Sequence, residues 1–572
     1  NGTLTINTNI NNAAANGGAI TIAKTVYGNS DETLTLDAHS SGTGTISVGP
    51  IGAATSQITA INMTANGGIT LNGDIKTSDA GGGIDFNSAV IIADNTTVTI
   101  TTDAGGTDSA IAFDSTLSGS NTTSNAENLV IDSGTGNVTI TGNIGATTAT
   151  ALGSLTINST DGGTEDGDIT ISGNIGASSG GSVTAVGATG TVTLGNANTR
   201  LLTLGGDVYN TNAATYEAVD GSNSISLTGT APVFTTSNDA ISFVAGHLLL
   251  ADGADLTVNS VGGPISIAGD ITGTSDEAVT LNAGSADGNA TVALGIIATE
   301  IDTITVTGND GVTLNGNIST SDDSGASVSI TGDITLGASI TIDTNQTTND
   351  GSVTIGAVDA NNTLTIDSGA GNVSVGVVGA TTALSGLVIN VADATADNGD
   401  IAIAGIGDDD PTYGVVGNVT IGNAYTDLLT FSGTNYDVDG TTVVYETEAG
   451  AGRILMTGAN VSFLNNAKNI TFDSGSITLS NAGTTTIGTG TGAGNIQIDG
   501  AIDGTSSQTE NLVIESGTGS TTVDGAIGAV NKVGTITIGS ANNGAITVSS
   551  IGVANTSGAS GAVAIGNTAT TT

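Results

Sequence analysis

The chain has 572 residues, with 53 acidic side chains against 6 Lys and Arg, a formal charge of −47, and neither Cys nor Trp. A chain without a basic footprint cannot displace counterions from phosphates, which excludes nucleic acid and disfavours anionic membranes. Without thiols it has no disulfide, no thiol nucleophile and no Cys-held zinc. Aromatic residues make up 2%, so any interior must be narrow and filled by small aliphatic layers. The 37% hydrophobic content, with 10% charged, sets the chain apart from disordered sequences.

The predicted elements begin at once. TLTI (Thr3 to Ile6), AITIA (Ala19 to Ala23), TLTLDA (Thr33 to Ala38) and GTISVG (Gly44 to Gly49) alternate apolar residues with Thr or Ser. GITLNGDI (Gly68 to Ile75), NVTITGNI (Asn137 to Ile144), DITISGNI (Asp168 to Ile175) and GTITIG (Gly534 to Gly539) continue the pattern. Period-two alternation describes half-buried strands, and the Gly, Asn and Asp clusters between the runs are turn formers. No apolar run approaches the roughly 20 residues a membrane-spanning helix needs. The strand pattern starts at the first residues with no visible signal peptide, as expected of a processed product or a slice of a longer chain.

Longer phrases recur. ENLVIDSGTGNVTITGNIGA (Glu127 to Ala146) returns as NTLTIDSGAGNVSVGVVGA (Asn362 to Ala380) and as ENLVIESGTGSTTVDGAIGA (Glu510 to Ala529). The offsets of such phrases divide the chain into two long units, 1–245 and 246–476, and a partial third, 477–572. Within each unit, strand signals spaced for two or three strands per turn imply turns of about 20 to 30 residues. The fold class expected is therefore all-β: an elongated parallel β-helix, or β-solenoid, of short strands and Gly/Asn/Asp turns. Tandem sandwich domains, the alternative, repeat at about 100 residues and often bury a Trp against a disulfide, whereas this chain repeats at more than twice that length and has neither Trp nor Cys. In the thrice-repeated phrase, Gly134 and Gly136 are expected to turn the corner at positive φ, with Asp132 and Asn137 bonding the turned backbone.

With GNVTITGNI, GDITISGNI and GSVTIGAV in view, the chain resembles the β-helical shafts of large bacterial surface proteins, such as filamentous-haemagglutinin-like adhesins and autotransporter passengers. The resemblance lies in composition and covers nearly the whole chain. It implies a secreted, elongated parallel β-helix used as a stalk or adhesive fibre. The function expected is a non-enzymatic shaft or fibre, extracellular or at the bacterial cell surface. Its strands NGTLTI and GAVAIG (Gly561 to Gly566) carry no capping pattern and are expected to meet another copy or further repeats of a longer chain end to end. An adhesin reading, with side loops binding cells or glycans, is the alternative; a polysaccharide-degrading β-helix enzyme is the third.

Catalysis lacks its usual partners: His39, His247, Arg200 and Arg453 are scattered, so no catalytic residue is assigned. Calcium is the one cofactor with candidate ligands. TDGGTEDGDIT carries Asp161, Glu165 and Asp168, and VADATADNGDIA carries Asp393, Asp397 and Asp400 at matching spacing, offering hard oxygen ligands in Gly-containing loops. Neither stretch fits the nonapeptide calcium repeat or an EF-hand loop, and solvated turns in an acidic protein are the preferred account of them. Two longer segments, Asp207 to Gly221 and Thr434 to Gly450, hold Tyr209, Tyr216, Tyr436 and Tyr445. These tyrosines are candidate contact residues on protruding loops, or lids packed against the coil.

Overall fold

A computed structural model describes residues 2–8, 17–29, 31–39, 42–52, 58–78, 81–103, 108–120, 126–158, 166–179, 182–221, 223–284, 290–298, 300–322, 325–390, 399–408, 413–480, 482–539, 544–553 and 557–566. Two compact units are present, Asn1–Gly295 and Ile296–Thr572. The division falls inside the second of the long sequence repeats. Among the described residues there is no α-helix, only a short 3-10 turn at Thr148–Thr150. Each unit is a β-solenoid, as the alternation predicts.

In the first unit, one wall runs through Glu32–Asp37, Ile58–Thr64, Ile84–Phe86, Ile111–Phe113, Val138–Ile140, Ile169–Ile171, Leu202–Leu204, Ile225–Leu227 and Leu248–Leu250, each parallel to the next. The register puts like on like. Leu34, Ile61, Ile84, Ile111, Val138, Ile169, Leu202, Ile225 and Leu248 form one continuous column of branched aliphatics. All are at most 2% exposed. Burying each such side chain contributes about 1.5–3 kcal/mol, and a single-residue slip would turn the column outward, so the alternation fixes the register. Among the described residues the exception to parallel pairing is a hairpin, Ala177–Ser179 with Ser182–Ala185, which is antiparallel.

The second unit repeats the logic. Ile318, Ile342, Ile366, Ile389 and Ile421 stack through parallel strands, and Tyr445, Phe472, Ile498 and Val523 continue the column.

The recurring phrase is a corner with a buried polar plug. Gly134 and its counterparts Gly369 and Gly517 have φ of 52°, 51° and 56°, as expected. Gly136 does not share that conformation, which corrects the expectation for it. Its role is close approach: a Cβ there would lie 2.2 Å from the Ser109 carbonyl oxygen, and one at Gly371 or Gly519 would lie 2.0 Å from the carbonyl of Gly351 or Gly494. Immediately ahead of the first glycine sits a fully buried serine. Ser133 Oγ donates to Gly136 O at 2.6 Å, Ser368 to Gly371 at 2.6 Å and Ser516 to Gly519 at 2.8 Å. In the first two copies an asparagine at positive φ on the next turn, Asn158 or Asn390, accepts the serine's backbone N–H.

Candidate functional site

The four tyrosines are in the interior, not on protruding loops, and the expectation of contact residues is corrected. The segment around Tyr209 and Tyr216 is a ten-residue strand, Val208–Glu217. Its first part pairs with Val233–Thr236 and its second with Ile241–Ala245, so the strand turns a corner at Asn210 to Asn212. The corner switches the inward parity, which is how residues seven apart both face in; both tyrosines are at most 1% exposed. Tyr209 stacks on Phe234 at 4.4 Å and Tyr216 on Phe243 at 4.9 Å. In the second unit Phe463 is the hub, with ring centroids 4.8 Å from Tyr436, 4.9 Å from Phe431, 5.2 Å from Phe472 and 5.4 Å from Tyr445. Phe243 and Phe472 are buried core residues, Phe243 stacked on Tyr216 and Phe472 tilted against Tyr445 at 5.1 Å. Burial pushes all four tyrosine hydroxyls above the ordinary phenol range. Tyr436 Oη accepts the Gly433 N–H and donates to Ile403 O, both at 2.9 Å, which satisfies it without solvent.

Of the six calcium candidates, Asp161, Glu165, Asp393 and Asp397 lie outside the described residues. Asp168 is held by Arg200 in a two-pronged pair, Nε to Oδ1 and Nη2 to Oδ2, both 2.7 Å. The arginine is thus not isolated; it sits one turn above the carboxylate. Asp400 donates its backbone N–H to Asn372 Oδ1 at 2.9 Å, and Asp168 does the same to Asn137. Among the described residues no group of three or more His, Cys, Asp or Glu side chains is arranged to hold a metal ion. His247 lies between two carboxylates, Nδ1 3.3 Å from Asp270 and Nε2 3.6 Å from Asp220.

Sequence reasoning missed two families of carboxylates. The first is a set of glutamates buried at strand starts. Glu277 is fully buried, and its carboxylate accepts N–H groups from Gly253, Thr274 and Ser275 and hydroxyls from Thr274 and Ser275, at 2.8–3.2 Å. Glu510, 1% exposed, accepts the hydroxyls of Thr505 and Ser507. Glu127, also buried, accepts Ser120 Oγ at 2.9 Å. For Glu277 and Glu510, a Ser or Thr two to five residues ahead of a Glu at or just before a strand start, as in TSDE and TSSQTE, was the available signal.

The second is a ladder. Glu446 and Asp473 are direct cross-strand partners, and Asp499 lies beyond Asp473 on the following turn. Burial and then the neighbouring carboxylate raise the pKa of both Glu446 and Asp473. A raised carboxyl pKa means ionisation costs stability in the folded state, a cost absent at low pH and fully present above the folded pKa. Asp473→Asn is therefore expected to raise the urea midpoint at pH 7 by the equivalent of a few tenths to about 1 kcal/mol. At pH 3 the gain vanishes; a gain that persists there contradicts charge repulsion as its cause.

One open groove stands out in the first unit, with a volume of about 670 Å³. It follows the corner of the Val208–Glu217 strand across successive turns. Asn210, Thr235, Asn259 and Asn282 lie in register along it, one per turn. Val208, Val233 and Val261 flank them.

No protein-family profile, no curated protein and no solved structure matches the chain.

Proposed function

We propose that the chain is a structural, non-enzymatic component of an extracellular or bacterial cell-surface fibre, its coils joining end to end with another copy or with further coils of a longer chain. The observation that carries this reading is the like-on-like stacking in each unit: long aliphatic columns in unbroken parallel register, with interior volume spent on packing. Repeating coils of this kind add stability by nearest-neighbour contacts and propagate by adding turns. The outermost strands support the partner. Thr3–Asn7 has Glu32–Asp37 as its ladder partner among the described residues, and Leu4 is 53% exposed. Val563–Ile565 pairs with Ile536–Ile538, and Val563 and Ile565 are 46% and 49% exposed. Among the described residues no further strand pairs with the outer side of either, and strand edges with exposed apolar side chains template one, in another copy or in further coils of a longer chain.

Negative-stain electron microscopy and sedimentation velocity across a concentration series test the self-contact. Filaments or a rising sedimentation coefficient are expected, both lost in the Leu4→Lys, Ile565→Lys variant. Single particles at every concentration would count against joining of copies. Antibody labelling of intact source cells tests the location; signal only after lysis would reject it.

The adhesin reading keeps one specific support, the groove of the first unit. Deleting Asp207 to Gly221 cannot test it, because that segment is an inner strand whose loss would break the coil.

A further inference from the structure

The groove is uncharged in a chain that is otherwise strongly acidic. None of its lining residues is Asp, Glu, Lys, Arg or His, while the chain as a whole carries 53 acidic side chains. Its floor is a ladder, Asn210, Thr235, Asn259 and Asn282, whose steps are one coil apart, about 4.8 Å. Asn210 is buried and its amide is spent on the Ala177 carbonyl. Thr235, Asn259 and Asn282 make no side-chain hydrogen bond among the described residues, so three polar ends face the groove at regular intervals.

The fold does not require these residues. In the second unit the matching strands carry the same inward aromatic pair, Tyr436 on Phe463 in place of Tyr209 on Phe234. Outward, at the positions matching the ladder, stand Asp437, Leu464, Gly488 and Glu515. A structural need would be met alike in both copies. At these matching positions the second unit has no uncharged amide ladder.

The chemistry of an occupant follows by elimination. An anion finds no counter-charge in the groove and is repelled by a formal charge of −47. A cation finds no ligand carboxylate. A wholly apolar ligand would cover the Asn and Thr ends without partners, at about 1–3 kcal/mol for each. An extended peptide binds by adding to a sheet edge, whereas this groove lies across the outer face of paired strands. What remains is a neutral ligand that repeats hydroxyl or acetamido groups at about the step of the coil and offers C–H surface to the flanking valines. The volume lies within the ordinary range for small-ligand sites, about 300–1,000 Å³. We propose that this groove binds a neutral oligosaccharide of about three or four sugar units, laid along the ladder with its hydroxyls on Thr235, Asn259 and Asn282. The inference is independent of fibre assembly: a polymerising chain with an empty groove, and a sugar-binding chain that stays single, are separate outcomes.

The test is calorimetric titration of the full chain with cellotetraose, maltotetraose and tetra-N-acetylchitotetraose, with tetragalacturonate as the charged comparator. At least one neutral probe is expected to bind, and tetragalacturonate at least about tenfold more weakly. Asn259→Leu and Asn282→Leu are each expected to weaken binding about tenfold or more with the thermal midpoint unchanged, because both side chains face outward. Leu464→Lys, at the matching place in the second unit, should leave binding as it was. Silence from all three neutral probes, equal binding of tetragalacturonate, or full binding by the Asn259→Leu, Asn282→Leu double variant would overturn the proposal. So would self-association that this double variant abolishes, since the groove would then belong to a second copy.

Discussion

Phe463→Ala is expected to destabilise the second unit by about 3–5 kcal/mol. The ring is 1% exposed and lies within 5.4 Å, centroid to centroid, of four other aromatic rings. Most of the remaining interior of the second unit is Ile, Leu and Val, which shift little to fill a ring-sized void. Here the aromatic cluster fills the interior, and its members hold one another in edge-on and stacked pairs worth about 0.5–1.5 kcal/mol beyond area burial. Removing the hub therefore costs transfer energy, a cavity, and several pair terms together. Phe463→Leu, which keeps most of the volume, should cost about 1.5 kcal/mol. Hydrogen exchange followed by mass spectrometry is the suitable readout, because a repeat array need not unfold as one unit. Loss of protection should centre on Asn435–Val438, Val443–Glu446 and Ser462–Asn465. Wild-type protection in these strands after Phe463→Ala would show that the rings are not what holds this part of the coil.

The strand content and the parallel solenoid were readable because they rest on local signals. NVTI, DITI and GTITI state their own alternation, and a thrice-repeated phrase states that each copy packs on something like itself. The corner glycine at Gly134 was readable for the same reason, since positive φ is a property of one residue and its neighbours. Gly136 was misread because its constraint comes from Ser109 on the preceding turn, a neighbour in space that no local pattern marks. The tyrosines failed in the same way. Asn210, Thr211 and Asn212 look like a loop, and only the pairing of one strand with two successors shows a corner that carries Tyr209 and Tyr216 both inward.

The charged features show how far this goes. Arg200 appears isolated until the turn length places Asp168 directly beneath it. Glu446 and Asp473 become a repelling pair only when their strands are set in register. Likewise, Asn210, Thr235, Asn259 and Asn282 are unremarkable polar residues in four separate strands until stacking makes them a row. Sequence pattern at period two decides inside against outside. What lies above and below a residue depends on turn lengths that insertions change from coil to coil, and that information is non-local.

Glu277 offers the second large effect, one with a definite pH signature. Its fully buried carboxylate gathers five donors, from Gly253, Thr274 and Ser275, into the corner before the Glu277–Ala283 strand. Glu277→Ala leaves those donors facing a void and is expected to cost about 3 kcal/mol; Glu277→Gln, which keeps the shape but turns an N–H₂ group toward donors, about 1–2 kcal/mol. Burial alone would raise the carboxyl pKa, yet the N–H and hydroxyl bonds outweigh it and hold the pKa below the ordinary value of 4.5. The folded state therefore favours the ionised form more than the unfolded chain does. The stabilisation is complete above the unfolded pKa and drains away as pH falls through the depressed folded value. Exchange protection at Gly253, Thr274 and Ser275 should accordingly differ between parent and Glu277→Gln at pH 7, and the difference should shrink as pH drops below about 4. Glu510, whose carboxyl is also held low, should behave alike. A Gln variant as protected as the parent at pH 7, or a gap that widens on acidification, would mean the corner is held by its backbone turns and not by the buried charge.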